Sequence, residues 1–344
     1  MKITIHVGQG KTGTSSIQDF LAFNFGILLK NKILYSMFLN EANKQILKGF
    51  GDERLMNLQQ PELVKQKMEL LNDFLVKHDM ERFIWSLESL FTHSLEEIQQ
   101  IKNYLEFDEI EIIVFLRRQD SWFQSAFYQW GWKHKTYEGR YLIDFENFYK
   151  IWQDKGYYDR FVENWAKVFG EENIKIQPFE KKQLPNGLIQ SFCRLINLEI
   201  PGLDKTERIK YSSFDHYTSQ IIGICNSLNE GKCLNVELVE LLNRNLRENY
   251  PGATFRNHSL ISPKRSLEIL DKYEASNQIV AKKYLKREDG ILFFEPKPNA
   301  DEEWKPFEPM SLEHFIPIIF DILLSQEKRI RNLEKQAQRI IKGS

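Results

Sequence analysis

Short runs in which apolar residues alternate with polar ones, or fill consecutive positions, recur along the first half of the chain. They are Ile3 to Val7, Lys32 to Ser36, Phe83 to Leu87, Ile110 to Leu116 and Ile174 to Phe179, and their composition predicts strands. Between them the period lengthens. Ile17, Phe20, Leu21, Phe25 and Leu28 follow the spacing of one buried helix face, and Ser94 with Glu97 makes a capping box ahead of Ile98, Ile101 and Leu105. Strands alternating with helices predict βαβ units, hence an α/β fold with a mostly parallel sheet flanked by helices. Ligands of such sheets collect at the strand C-termini.

Beyond Phe179 the pattern turns helical, over Leu188 to Leu195, Thr218 to Leu228, Val236 to Arg247 and Pro263 to Tyr284. A proline-containing stretch, Glu295 to Pro309, then precedes a last helix beginning near Ser311. Its end, residues 326–344, is charged on most faces and keeps one apolar stripe: Ile330, Leu333, Ala337, Ile340 and Ile341. That stripe predicts either self-association through the C-terminal helix or a solvated helix end. With no internal repeat or low-complexity linker in view, the reading is one α/β domain over residues 1–325 with helical additions, followed by a charged helical tail.

Composition narrows the function. A chain of 344 residues that is 42% hydrophobic and 13% aromatic has enough apolar surface to fold, which excludes a disordered chain. Forty-seven basic residues against 48 acidic ones leave a formal charge of -1. No global positive field exists to hold nucleic acid or an anionic membrane, so a bound anion must be met by a local site. Cys193, Cys225 and Cys233 form no CxxC pair and no metal-ligand spacing with the histidines. A reducing compartment without structural zinc fits best. The start, MKITIHVGQG, lacks the apolar core of a secretory signal, and no long apolar run suggests a membrane span. The expectation is a soluble cytoplasmic protein.

The segment richest in chemistry is Gly8-Gln9-Gly10-Lys11-Thr12-Gly13-Thr14-Ser15-Ser16, between the first strand and the first helix. Glycines let the backbone approach a ligand, free amides at a helix N-terminus favour negative charge, and Lys11 adds a full cation. The same residues also suit an ordinary capped helix start. A nucleotide P-loop needs a glycine five positions before the Gly-Lys pair, where Ile5 stands. The strand Ile110 to Leu116 ends in Arg117-Arg118 rather than a metal-binding aspartate. Arg117 and Ser125, eight residues on, present a second anion site if a helix begins between them. Either arginine also has a plain partner in Asp120.

Together these two motifs resemble the sulfotransferases that use 3′-phosphoadenosine 5′-phosphosulfate (PAPS). Their 5′-phosphosulfate loop is similar to Lys11, Thr12, Gly13, Thr14 and Ser15, and their 3′-phosphate motif is similar to Arg117 with Ser125. NIKIQPFEKKQL and FRNHSLISP resemble a later strand and a late loop of the family, so the likeness covers roughly residues 1 to 290. No basic-Lys-Gly triplet stands near Arg256, which departs from the cytosolic small-molecule class. The resemblance implies a P-loop-like sulfotransferase architecture with helical C-terminal additions, PAPS as donor, 3′-phosphoadenosine 5′-phosphate (PAP) as product, and no required metal. It also implies that Thr12, Gly13, Thr14, Ser15 and Ser16 hold the 5′ end. Arg117 and Ser125 would hold the 3′-phosphate with Arg256 as a further contact, and Lys11 would meet the charge on the leaving oxygen.

Sulfuryl transfer to a hydroxyl or amine also needs a base. Glu88 follows the strand Phe83 to Leu87 and should project at the same sheet edge as Lys11 and Arg117, where the family's glycan enzymes place a catalytic glutamate. The alternative is a helix-start carboxylate that caps Phe91 or pairs with an arginine. His6 lies within a strand and reads as a hydrogen-bonded core residue, while His134, His216 and His258 read as surface residues. Trp122, Tyr128, Trp130, Trp132, Tyr137 and Tyr141, with Lys133, Lys135 and Arg140 nearby, suit either a sugar-binding surface or a core stripe. The acceptor class implied by the resemblance is a glycan or glycolipid. A P-loop kinase or NTPase, and a non-catalytic nucleotide-binding protein, are the alternatives.

Overall fold

The computed structural model describes residues 1–35, 61–131, 144–206, 259–305 and 311–343. The predicted helices over 218–228 and 236–247 lie outside them. So do Arg256, Trp132, Tyr137, Tyr141, Lys133, Lys135, Arg140, Cys225, Cys233 and the three histidines read as surface residues.

Five strands form one parallel sheet: β1 (Lys2–Gly8), β2 (Ile33–Tyr35), β3 (Arg82–Leu87), β4 (Glu109–Leu116) and β5 (Ile174–Pro178), in the order β2-β3-β1-β4-β5. Each was predicted from its apolar run to within two residues. Their interiors are buried, as expected of a parallel sheet covered on its faces. The register sets Val7 level with Leu87 and with Val114, and Gln177 level with Phe115. The C-terminal ends of β1, β3, β4 and β5 therefore meet along one edge. The connection leaving β1 runs to β2 on one side, and that leaving β4 runs to β5 on the other. This reversal between adjacent strands opens a crevice at their C-terminal ends, where α/β sheets take ligands.

The helices are α1 (Thr14–Phe23), α2 (Phe25–Lys30), α3 (Pro61–Lys77), α4 (Leu95–Asn103), α5 (Gln119–Ala126), α6 (Phe145–Trp152), α7 (Tyr158–Phe169), α8 (Leu188–Leu195), α9 (Pro263–Lys272), α10 (Glu274–Leu285) and α11 (Leu312–Gly343). α1 packs on α8, and α7 packs on α4 and α10. The capping box of α4 is formed: the Glu97 amide donates to Ser94 Oγ at 3.2 Å and the Ser94 amide to Glu97 Oε2 at 2.7 Å.

Two predicted helices are each broken at one residue. The face from Ile17 to Leu28 is interrupted at Asn24, whose Nδ2 donates to the carbonyls of Phe20 and Asp204 and whose Oδ1 accepts from the Asp204 amide. The run from Pro263 to Tyr284 is interrupted at Tyr273, whose hydroxyl donates to the Gln153 carbonyl at 2.7 Å. Both breaks are made by partners distant in sequence.

The chain forms two compact units. One comprises Met1–Trp122, Trp152–Ser212 and Leu267–Pro298, and carries the sheet; the other comprises Phe123–Ile151, Ser213–Ser266 and Asn299–Ser344. α11 runs unbroken across residue 325, where the sequence placed the start of the charged tail. In the second unit Phe127 packs edge-on against Phe145 and Phe148, and Arg265 pairs with Glu146 at 2.7 Å while lying over the Tyr149 ring.

Candidate active site

The site is built around the turn that joins β1 to α1. Gly13 caps α1 with φ +82°, and Lys11 also lies in the left-handed region at φ +71°. A Cβ on Gly13 would stand 2.3 Å from Leu188 Cδ2, so the positive φ and the close approach of the Leu188 side chain both favour glycine there. The Thr12 hydroxyl donates back to the Gln9 carbonyl at 2.5 Å and is buried, so it braces the loop. The buried Trp122 indole N–H holds the Gly10 carbonyl at 2.8 Å. Trp122 is therefore a support of this loop and not part of an exposed aromatic surface; Tyr128 and Trp130 are half-buried.

No side chain caps the start of α1, and no acidic residue occupies its first turn. The first amides of a helix without such a cap are donors awaiting an acceptor, at the end where the helix dipole is positive. Ser15, Ser16 and Lys11 are half-buried around them, while the Thr14 hydroxyl is buried with no partner among the described residues. An anion at this turn would meet amides, hydroxyls and an ammonium together.

Arg117 leaves the end of β4 toward the same turn. Its Nη1 donates to the Lys11 carbonyl at 3.3 Å, and its Nε and Nη2 donate to Ser121 Oγ at 3.2 and 3.0 Å. The backbone there is pinned on both sides: the Arg117 amide donates to Gln9 Oε1 at 3.4 Å, and the Tyr158 hydroxyl donates to the Arg117 carbonyl at 2.5 Å. No carboxylate pairs with Arg117 among the described residues, and burial pulls its pKa below the ordinary guanidinium value. A half-buried cation left with only neutral acceptors is a site for an anion. Arg118 differs. It makes a two-point bond to Asp120, 2.8 Å at each contact, and donates to the Pro296 carbonyl at 2.9 Å.

Glu88 opens a short 3-10 turn, Glu88–Thr92, directly after β3. It is half-buried and makes neither a hydrogen bond nor an ion pair among the described residues, so it caps nothing. Burial raises its pKa above the usual carboxylate range, and the charge of Lys11 opposes that rise. The loop, Glu88 and Arg117 thus share one sheet edge, as the sequence predicted. Ser125 lies buried near the end of α5.

Glu180 carries a role the sequence motif marked only loosely. It is buried after β5, accepts from the amides of Phe294 and Glu295 at 2.6 and 3.1 Å, and accepts from Gln183 Nε2 at 2.7 Å. It fastens the segment 294–295, and Arg118 Nη1 donates to the Glu295 carbonyl at 3.3 Å. In the late loop, Gln124 Oε1 accepts from the Leu260 amide at 2.8 Å and from the Ser259 hydroxyl at 3.0 Å. Among the described residues no cluster of His, Cys, Asp or Glu has metal-site geometry, and no helix is long and apolar enough to cross a membrane.

No protein-family model matches the chain. It is similar to an uncharacterized protein of Archaeoglobus fulgidus, 24% identical over 140 residues, an overlap spanning 40% of this chain and 36% of that relative's length. Among solved structures it is similar to a sulfotransferase from Alicyclobacillus acidocaldarius, with 16% identity and a TM-score of 0.36 over 69% of this chain and 98% of that one. It is also similar to a retinol dehydratase in complex with androsterone and the inactive cofactor PAP, with 13% identity and a TM-score of 0.33 over 84% of this chain and 83% of that one.

Proposed function

We propose that the chain is a sulfotransferase that moves a sulfuryl group from PAPS to a hydroxyl or amine, most naturally one on a glycan or glycolipid. The observation that carries this reading is a pair of separate cationic positions at the reversal between β1 and β4: the uncapped start of α1 with Lys11, and Arg117 with no carboxylate partner among the described residues. A donor with a phosphate at each end of one nucleoside asks for two such positions. PAPS supplies the activated sulfuryl group. The amides and hydroxyls from Thr12 to Ser16 hold its 5′ end, with the Thr12 hydroxyl acting through the loop. Arg117 takes the 3′-phosphate, and Ser125, with Arg256, completes the assignment made from the sequence motif.

Glu88, whose basicity burial raises, accepts the acceptor's proton as the new oxygen–sulfur bond forms. Lys11 neutralises the charge that grows on the phosphate oxygen as its bond to sulfur breaks. Positioning and electrostatics carry most of the acceleration, as in phosphoryl transfer.

Titration calorimetry with PAP, together with turnover of PAPS over a panel of glycan acceptors, tests the assignment. Lys11→Ala and Arg117→Ala should each weaken PAP binding by about 10- to 100-fold, the worth of one charge-assisted contact. Glu88→Gln should retain that affinity and lose turnover by roughly 10² to 10⁴. Unchanged binding in both cation variants would remove the site, and full turnover in Glu88→Gln would place the base elsewhere. Tighter binding of magnesium ATP than of PAP would favour a kinase instead, and PAP binding without transfer to any acceptor would favour a non-catalytic protein.

A further inference from the structure

α11 is one uninterrupted helix, and from Glu327 to Gln338 every residue of it is exposed. A helix segment that keeps an apolar side while surrounded by solvent presents that side for another surface to cover. That side is ordered. Ile316, Leu323, Ile330 and Ala337 recur every seven residues, and Ile319, Gln326 and Leu333 follow the first three of them by three. These are the a and d positions of a heptad repeat sustained over three heptads. Ile316 is 59% exposed, Leu323 62%, Ile330 50% and Leu333 55%. Pro317 falls at b, beside the seam.

We propose that this face is the seam of a parallel two-stranded coiled coil formed with a second copy of the chain. The charges flanking it select that occupant. Arg329 stands at a g position and Glu334 at the e position five residues later, the offset at which g and e of two parallel strands meet. Each strand therefore offers its arginine to the other's glutamate, twice by symmetry. An antiparallel pair would set e against e and g against g, which places like charges together. A membrane surface is the poorer fit, because Glu327 and Glu334 border the apolar face while Lys328 and Lys335 lie on the far side, the reverse of a membrane-lying helix. Within one strand Glu327 is already engaged by Arg331 at 2.8 Å, which stiffens the helix without using Arg329 or Glu334. Gln326 at d is the single polar residue in the seam, and it fixes the register by pairing with its counterpart. The seam is independent of the sulfuryl-transfer reading.

Sedimentation equilibrium of the full chain decides the matter. The wild type should dimerise reversibly as its concentration rises through the micromolar range, and Leu323→Lys with Ile330→Lys should sediment as a monomer with unchanged far-UV circular dichroism. Arg329→Glu alone and Glu334→Arg alone should each weaken the dimer several-fold, and the two exchanges together should restore it. A wild type that stays monomeric at high micromolar concentration overturns the proposal. So does a double exchange that fails to recover what the single ones lose, or a monomer that instead binds anionic phospholipid vesicles through this helix.

Discussion

His6 shows how position in a parallel strand decides what a titratable side chain can do. Its Nδ1 lies 2.8 Å from Ser86 Oγ, its ring is edge-on to Phe115, and its Nε2 has no partner among the described residues. Burial takes its pKa down to about 3. The unfolded chain takes up this proton near pH 6.5 while the folded one does not, so stability is fully present above pH 6.5 and is lost as the pH falls toward 3. At about 1.4 kcal/mol per pH unit, roughly 2 kcal/mol should disappear between pH 6.5 and pH 5. Urea unfolding at pH 7.5 and at pH 5 should show the loss, and His6→Asn should reduce it; equal stability of the wild type at both would show that the imidazole titrates normally. The core role of His6, like the edge positions of Glu88 and Arg117, was legible because strand periodicity alone fixes which residues end a strand. The braces around Arg117 were not. Gln9, Tyr158 and Trp122 act across long sequence separations, and each reads locally as a loop or helix residue.

Elements follow the same division between local and distant causes. The strands, the capping box of α4 and the start of α1 are all encoded within a few neighbouring residues. The helices α3 and α7 were also written in the chain, through Val64, Met68, Leu71 and Leu75, and through Tyr158, Val162, Trp165 and Phe169, all of them buried. Their periodicity supplies the signal that would have predicted them. What could not be read are the interruptions at Asn24 and Tyr273, which are imposed by partners more than a hundred residues away. The β1–α1 turn combines both kinds of cause, since its glycine pattern is local but the need for Gly13 comes partly from α8. Gly13→Ala should therefore cost about 1 to 3 kcal/mol from the dihedral alone, with overpacking against Leu188 added. Pairing it with Leu188→Ala should recover the packing part of the lost PAP affinity and leave the dihedral part. Calorimetric titration of both variants checks this, and a Gly13→Ala chain that binds PAP like the wild type would show the turn to be slack.

For the whole chain, charge balance and division into units constrain how the proposed donor, anionic at both ends, would be captured. With a formal charge of -1 there is no surface-wide field to attract anions, so the proposed function assigns the attraction to Lys11 and Arg117, both within the sheet-bearing unit. Partly buried cations are screened by salt much less than exposed ones. Two compact units need not melt together, so one melting temperature need not describe the chain. In differential scanning calorimetry, PAP at about 100 times its dissociation constant should add roughly 2.7 kcal/mol to the sheet-bearing unit. At about 2–4 °C per kcal/mol for a unit of that size, this raises its transition by roughly 5–11 °C. The increment should survive a rise in salt that strips proteins from nucleic acid, and it should vanish when Lys11 and Arg117 are both replaced by alanine. If moderate salt alone abolishes it, the donor is being held by exposed surface charge, and the crevice between β1 and β4 is not where the nucleotide sits.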